Sequence, residues 1–532
     1  MRIGLDLDNT LVCYDTLFYR LALERGLIDA TCPPRKRDIR DAVRREAGDA
    51  AWQALQGDAY GPRMYDAVFF SGVPEALRLW RTAGHELCIV SHKTRFSSVE
   101  KFDLHSAALD FLRASALLRQ GLLHERDIYF CRTRDEKIDR IANLRCHVFV
   151  DDLPEIFLHP AFPRDTRQWF FAPRDKESVP QALTFSAWED IQGFDPAFEN
   201  SLFQGAGAFP QRLHRLGGGR NSRVWAVELP QGTVVLKAYH RSLSDQRHRL
   251  EHEHGAFDLL HEYHIHDTPR TLHVDTDLGV AVYSHIQGQP YAPNTAGEKA
   301  VQPFVALTAR LHMLARALPT ERAASIPWAT DACKSLTIWE QCVEDRLERL
   351  LTRPRQNERD EEMADFVTKV VSPAWRRHRD KARDVYARLQ RDPVAVLAEH
   401  ERTLSPSDMG FHNALRKPDG SLAFVDFEYF GWDDPTKLLS DFALHPGMHL
   451  TENQQHFFID TLLERFAMPD LEERLQAMRP LFATAWCCIL LNEFLKDGTR
   501  NFILPQKERA RLCSLQLARA RDFFNQHMET TP

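Results

Sequence analysis

"MRIGLDLDNTLV" (residues 1–12) begins with a short, continuous apolar run. It then sets Asp6 and Asp8 two apart, with Thr10 next. A run of this length and β-branched content suits a strand buried on both faces. "HELCIV" (85–90), "DIYFC" (127–131) and "CHVFV" (146–150) are further runs of the kind. Helical patterns lie between them: Pro74 opens "PEALRLWRTAG" and Gly84 closes it. The alternation predicts an α/β domain with a parallel sheet over residues 1–190.

In such a sheet, ligands bind beyond the carboxyl ends of the strands. Each candidate strand here runs into polar residues. Asp6, Asp8 and Thr10 follow the first, Ser91 in "CIVSHKT" (88–94) the second, and Asp151 with Asp152 in "VFVDDLP" (148–154) the last. After "DIYFC", the helical "DEKIDRIANL" (135–144) carries Lys137 in its first turn. A lysine there opposes the helix dipole, so a nearby anion explains it better than solvation does. A carboxylate can accept a phosphoryl group if its own charge is offset. A second carboxylate can pass protons to and from the oxygens that leave and attack. Singly, these residues also fit a turn, a cap and a loop. Together they form one phosphoryl-transfer set, in which Asp6, Asp8, Asp151 and Asp152 offer oxygen ligands suited to Mg²⁺.

With "DLDNT", "VSHKT", "DEK" and "VDD" in this order, residues 1–190 resemble the haloacid dehalogenase superfamily of aspartate-nucleophile phosphotransferases. The resemblance implies Asp6 as nucleophile and Asp8 as general acid/base. Thr10, Ser91 and Lys137 would hold phosphate, and Asp151 and Asp152 would stand at Mg²⁺. It implies a Rossmann-like parallel sheet with a small helical cap at about 14–68. The cap carries "PPRKRDIRDAVRREAG" (33–48), which reads first as a solvated helix of alternating charge and second as an anion-guiding face.

Periodicity fades and Gly and Pro rise over "DIQGFDPAFENSLFQGAGAFP" (190–210), where a linker is expected at 191–210. A second domain is expected over 211–532, with a strand-rich small lobe at about 211–290 and a helical lobe at about 291–532. "LGGGRNSRVWAVELPQGTVVLKAY" (216–239) sets Gly217, Gly218 and Gly219 ahead of a hairpin that bears Lys237. Glycine loops let backbone N–H groups approach phosphates. Glu253 shares a helical stripe with Phe257 and Leu260, an inward face where a carboxylate needs a partner such as Lys237. "SPSDMGFHNAL" (405–415) and "LAFVDFEYFGWDDP" (422–435) supply Asp408, Asn413 and Asp426, the residue types that phosphoryl transfer from ATP requires.

Residues 205–525 resemble the aminoglycoside phosphotransferase and choline kinase family, within the protein-kinase-like fold. The resemblance implies a bilobal α+β domain with Asp408 as catalytic base and Asn413 and Asp426 as Mg²⁺ ligands. Lys237 and Glu253 would form a pair at ATP. "VYSHIQG" (282–288) would be a hinge whose Ser284 and Ile286 offer backbone to adenine. The family commonly has a histidine two residues before the base; Pro406 stands there. His412 reads as a loop anchor. The histidines of "HEHG" and "HEYHIH" read as helix surface, and the acceptor contacts are expected from about 297–400.

The chain has 532 residues, enough for two to four domains at roughly 100–200 each. The net charge of -7, with no basic stripe, disfavours nucleic acid. Ten scattered cysteines without CxxC pairs fit a reducing cytosol, and the absence of an export pattern points to the cytoplasm. "LFATAWCCILL" (481–491) is too short to span ~30 Å of bilayer and reads as a core helix. The expected function is bifunctional: a Mg²⁺-dependent phosphatase acting on a small phosphate ester, and an ATP-dependent kinase acting on a small hydroxyl acceptor. The alternatives are a phosphatase regulated by an ATP-sensing pseudokinase, and a kinase/phosphatase acting on nucleic acid or protein.

Overall fold

A computed structural model describes residues 1–173, 179–217, 221–240, 247–291, 298–495 and 506–529. Gly218 and Gly219 lie outside the described residues. The chain forms two compact units, residues 1–241 with 272–285 and residues 242–271 with 286–532. The division near 285/286 falls inside the stretch expected to be a hinge. No helix among the described residues is long and apolar enough to cross a membrane.

The first unit is organised on one sheet of eleven strands. In chain order they are β1 (Arg2–Leu5), β2 (Glu86–His92), β3 (Ile128–Cys131), β4 (Val148–Asp151), β5 (Arg167–Phe171), β6 (Leu183–Phe185), β7 (Arg212–Arg215), β8 (Ser222–Leu229), β9 (Gly232–Tyr239), β10 (Thr271–Asp275) and β11 (Val280–Ser284). Their order in the sheet is β10-β11-β9-β8-β7-β6-β5-β4-β1-β2-β3. All neighbours from β3 across to β7 are parallel. Strands β7, β8, β9 and β11 pair antiparallel. On β2, Leu87 and Ile89 enter one apolar cluster while Cys88 and Val90 enter another, so the strand is buried on both faces as its unbroken apolar run requires. The insert is helical, over Asp15–Glu24 and Lys36–Tyr60, the latter kinked at Gly48 where φ is 84°. Helix Val73–Thr82 carries Pro74 in its first turn and ends before Gly84, whose φ is also 84°.

The stretch expected to be a linker is built into this unit. It contains helix Phe198–Ala206, and Ile191, Phe194, Phe198 and Leu202 are buried. Buried indoles tie it down: Trp80 Nε1 donates to the Phe194 carbonyl at 2.9 Å, Trp225 Nε1 to the Asp190 carbonyl at 2.7 Å, and Trp169 Nε1 to Glu199 at 2.6 Å. A buried indole N–H needs an acceptor, and this segment supplies three. One core cluster then runs from Ile3 through Trp188 and Phe194 to Leu213, Trp225 and Val282.

The second unit contains helix Arg249–Glu262, a ribbon of Thr403–Ser405 with Gly431–Asp433, and a three-stranded sheet of Gln289–Pro290, Ala414–Arg416 and Leu422–Phe424. Long helices over Gln302–Ala317, Leu336–Leu351, Ser372–Arg388, Glu452–Phe466, Leu471–Leu490 and Gln506–His527 make up most of the rest. "LFATAWCCILL" lies largely in Leu471–Leu490, where Leu481, Phe482, Cys487 and Cys488 pack with Trp339, Trp375 and Phe523. Asp434 caps helix Pro435–Leu444 through the Thr436 amide and is paired with Arg474, both fully buried. All ten cysteines are free.

Candidate active sites

In the first unit, the ends of β1, β2 and β4 converge. The Asp6 amide donates to the Val150 carbonyl at 2.9 Å, which fixes Asp6 beside Asp151. Lys137, the fourth residue of helix Arg134–Asn143, is completely buried. Its Nζ lies 2.7 Å from Asp6 Oδ1 and 2.6 Å from Asp151 Oδ2. Burial works against its charge, but the Asp151 and Asp6 carboxylates outweigh burial and hold its pKa above the usual lysine range. This is the anion that its placement in the sequence called for.

Ser91, at the end of β2, is fully buried and its Oγ has no hydrogen-bond partner. Thr10 Oγ1 donates to Asp152 Oδ1 at 3.0 Å. Asn9 adopts a left-handed backbone, φ 61°, a conformation that Asn tolerates in tight turns, and Trp188 Nε1 anchors the same turn through the Thr10 carbonyl at 2.9 Å. Asp8 accepts from Tyr14 Oη at 2.6 Å and pairs with Lys93 Nζ at 2.7 Å.

Carboxylate oxygens of Asp6, Asp151 and Asp152 lie within 4.8 Å of one another. Burial raises the Asp151 pKa to about 6, against the pull of Lys137, and burial with the Asp151 charge pushes Asp152 well above its ordinary value. An all-oxygen donor set under this strain fits a hard divalent cation. A cavity of about 480 Å³ lies over the cluster, lined by Asp6, Asp8, Lys137 and Asp152 from below and by Lys36, Gln53 and Tyr60 from the helical insert. Arg40, Arg44 and Arg45 of the insert pair with Asp41, Asp49 and Glu46 in solvent, so only Lys36 of its basic stretch reaches the cavity. Lys93 and Tyr14 were not legible as site residues. The "SHK" spacing could have flagged Lys93, two residues beyond a strand-end serine.

In the second unit, Asp408 follows Ser407, whose φ is 66°, and the Asp408 amide donates to the Pro406 carbonyl at 2.8 Å. His412 Nε2 lies 3.3 Å from Asp408 Oδ1 and His445 Nε2 lies 3.6 Å from it, with the two rings stacked at 4.5 Å. Burial favours the neutral acid, but the His412 hydrogen bond and the two imidazoles outweigh it and hold Asp408 below the usual carboxylate range. Asn413 Nδ2 donates to the Asp408 carbonyl at 2.9 Å, and the Val425 amide donates to the Asn413 carbonyl at 2.9 Å. That strand contact brings Asn413 next to Asp426, which adopts a left-handed φ of 66°. His412 is thus more than a loop anchor: it touches the carboxylate itself. Gly410 is required beneath it, because an added Cβ would sit 2.5 Å from the His412 ring.

Oxygens of Glu253, Asp426 and Glu428 also lie within 4.8 Å of one another. Of "HEHG", Glu253 alone joins this group. His252 Nδ1 instead lies 2.6 Å from the Phe430 carbonyl. Glu428, buried beside Arg249 at 3.6 Å, escaped the sequence reading. Three carboxylates again offer hard donors that fit Mg²⁺. Of the remaining expected residues, Lys237 is buried on β9 of the first unit with its Nζ 5.1 Å from the Tyr239 ring centroid. Gly217 has φ 58°, Ser284 ends β11, and Ile286 begins the second unit's longer segment.

The family model described as "Phosphotransferase enzyme family" matches residues 212–480, just over half of the chain. Solved structures similar to this chain include a spectinomycin phosphotransferase with ADP and spectinomycin, at 12% identity over 62% of this chain and 97% of that one, TM-score 0.43. The ethanolamine kinase of Plasmodium vivax is 12% identical over 59% of this chain and 82% of that one, TM-score 0.40. The choline kinase LicA of Streptococcus pneumoniae is 14% identical over 59% and 93%, TM-score 0.37. No curated protein matches the chain. By the match over residues 212–480, the chain belongs to the phosphotransferase enzyme family.

Proposed function

We propose that the chain is a bifunctional enzyme: a Mg²⁺-dependent phosphatase centred on Asp6 and an ATP-dependent kinase of small hydroxyl compounds centred on Asp408. The phosphatase motifs would lie in residues 1–190, of Rossmann-like haloacid dehalogenase type with its cap at about 14–68. The kinase motifs would lie in 211–532, of protein-kinase-like type, whose first strands share the first unit's sheet. The observation that carries the phosphatase half is Lys137, fully buried between Asp6 and Asp151 beside a serine hydroxyl that has no partner.

In the phosphatase, an Asp6 carboxylate oxygen attacks phosphorus and the ester oxygen leaves with a proton from Asp8. Water then attacks the phosphoaspartate and gives its proton back to Asp8, releasing inorganic phosphate. Lys93 and Tyr14 fix the Asp8 carboxyl. Ser91 and Lys137 bind the non-bridging phosphoryl oxygens, and Thr10 orients Asp152. Mg²⁺ bound by Asp6, Asp151 and Asp152 would supply charge neutralisation.

In the kinase, Asp408 takes the proton of the acceptor hydroxyl as its oxygen bonds to the γ-phosphorus and ADP leaves. His412 and His445 fix the Asp408 carboxylate in place of the family's upstream histidine, absent at Pro406. Asn413 and Asp426 would hold Mg²⁺, with Glu253 and Glu428 adjoining. Gly217, Gly218, Gly219, Lys237, Ser284 and Ile286 carry the ATP-binding roles that the family resemblance implies.

The test is to incubate the protein with Mg²⁺, ATP and a metabolite extract and, separately, with generic phosphomonoesters. New phosphorylated species by mass and release of phosphate are expected. Neither activity would sink the proposal. ATP binding without acceptor turnover would favour the pseudokinase alternative.

A further inference from the structure

A cavity of about 550 Å³ opens beside Asp408, in walls formed by the end of helix Pro435–Leu444, the loop after it, and helices Leu471–Leu490 and Gln506–His527. His445 joins the two: its ring lines the cavity and its Nε2 lies 3.6 Å from Asp408 Oδ1. This is well C-terminal of residues 297–400, where the acceptor contacts were expected. We infer that the cavity takes an uncharged, polyhydroxylated acceptor, a sugar or polyol. The inference rests on the kinase reading above.

Charge argues first. Arg519 and Asp522 supply one charge of each sign, one helical turn apart, and the other side chains lining the cavity are apolar, amide, indole or imidazole. An ammonium group taken out of water needs carboxylates in excess of cations or a full cage of aromatic faces. Here Asp522 is matched in number by Arg519, and the six-membered aromatic surfaces are those of Trp486 and Phe523. A phosphorylated acceptor needs several cations. The nearby buried Asp441 is outside the lining and already engaged, by Lys437 Nζ at 2.5 Å and by Trp486 Nε1 at 3.1 Å. Burial also pushes His445 and His527 down to about 4, which leaves both rings neutral near pH 7.

Hydrogen-bonding capacity argues second. Gln516 and Gln526 line the cavity, and amides, like hydroxyl groups, both donate and accept. Gln455 lines it too, held by Arg479 and by the Leu450 carbonyl. Gln516 lines the cavity while its Oε1 is buried without a partner, so its amide N–H group is the part of the side chain that a sugar hydroxyl would meet. Trp486 lines the same cavity with its N–H already bound to Asp441, so it offers the apolar body against which a sugar's C–H groups pack.

The experiment measures Mg-ATP turnover with glucose, ribose, glycerol and myo-inositol, with choline, ethanolamine and spectinomycin, and with glucose 6-phosphate. A neutral acceptor should exceed every charged one in kcat/KM by about 100-fold or more. Gln516→Ala should raise the KM for that acceptor about tenfold with little change in kcat, while its ATP affinity by calorimetry reports an intact fold. Should that variant not fold, Gln516→Glu keeps the volume, adds a carboxylate, and should weaken the neutral acceptor while improving choline. Preference for a cationic or phosphorylated probe, or an unmoved KM in a folded Gln516 variant, overturns the inference and leaves the kinase standing. ATP binding with no probe phosphorylated also overturns it. Absence of ATP binding as well would bring down the kinase reading itself.

Discussion

Asp6 and Asp408 are presented in opposite ways. The Asp6 side chain is 6% exposed and locked by an ammonium that shares it with Asp151. The Asp408 side chain is 33% exposed and leans on two imidazoles. On the proposed reading Asp6 is a nucleophile that must keep its charge while buried, and Lys137 supplies the fixed counter-charge. On the same reading Asp408 is a base that meets a hydroxyl from solution, which can stay near the surface and needs only aim. The buried Asp6 carboxylate therefore carries its electrostatics as part of the folding energy, and the more exposed Asp408 carboxylate does so far less.

The largest effect should come from cutting the chain where the sequence suggests a linker. A fragment of residues 211–532 loses the partners of Leu213, Trp225 and Val227, which share a core with Trp188 and Phe194. It should not unfold cooperatively in denaturant, whereas the full chain should. A well-folded fragment would show the sheet to be divisible at β6–β7.

Next comes Lys137→Met. It leaves Asp6 and Asp151 buried without their cation and should cost about 3–5 kcal/mol in metal-free urea unfolding. His412→Gln, at a half-exposed pair, should change stability by less than about 1 kcal/mol. Equal losses would erase the contrast between the sites.

Acid should act on the second unit through a buried imidazole away from Asp408. His312 stacks on Phe466 at 3.9 Å, and burial holds its pKa to about 4, below the roughly 6.5 of an unfolded histidine. The unfolded state takes the proton first, so this stability is complete above about pH 6.5 and is lost as pH falls towards 4. His312→Gln should flatten that decline by up to about 3 kcal/mol, read as urea midpoints across the range. A decline of unchanged slope would assign the acid sensitivity elsewhere.

The smallest effect is Gly410→Ala. Its Cβ would press on His412 and on Met448 Sδ, 2.9 Å away, and should lower kinase turnover about tenfold without touching the phosphatase.

Much of the first site was legible because strand ends are fixed by short apolar runs, and a lysine against a helix dipole demands an anion. Tyr14 was not, since nothing local distinguishes it from the core, and Lys93 showed only its two-residue spacing from Ser91. The stretch 190–210 misled for a physical reason: Gly and Pro mark loops, but Phe194 and Phe198 marked burial, and their partners Trp80, Trp169 and Trp225 are distant in sequence. The cavity proposed for the acceptor was hidden for the same reason. Its walls come from three separate segments, and the helix bearing Gln516 has only a weakly amphipathic pattern of its own.

The central claim is that one chain holds two independent phosphoryl-transfer sites. Its most direct test is to assay both activities in Asp6→Asn and in Asp408→Asn. Asp6→Asn should abolish phosphate release and keep ATP-dependent phosphorylation. Asp408→Asn should lower phosphorylation by about 10²–10⁴ and keep phosphate release. Loss of both activities in either folded variant would contradict independent sites.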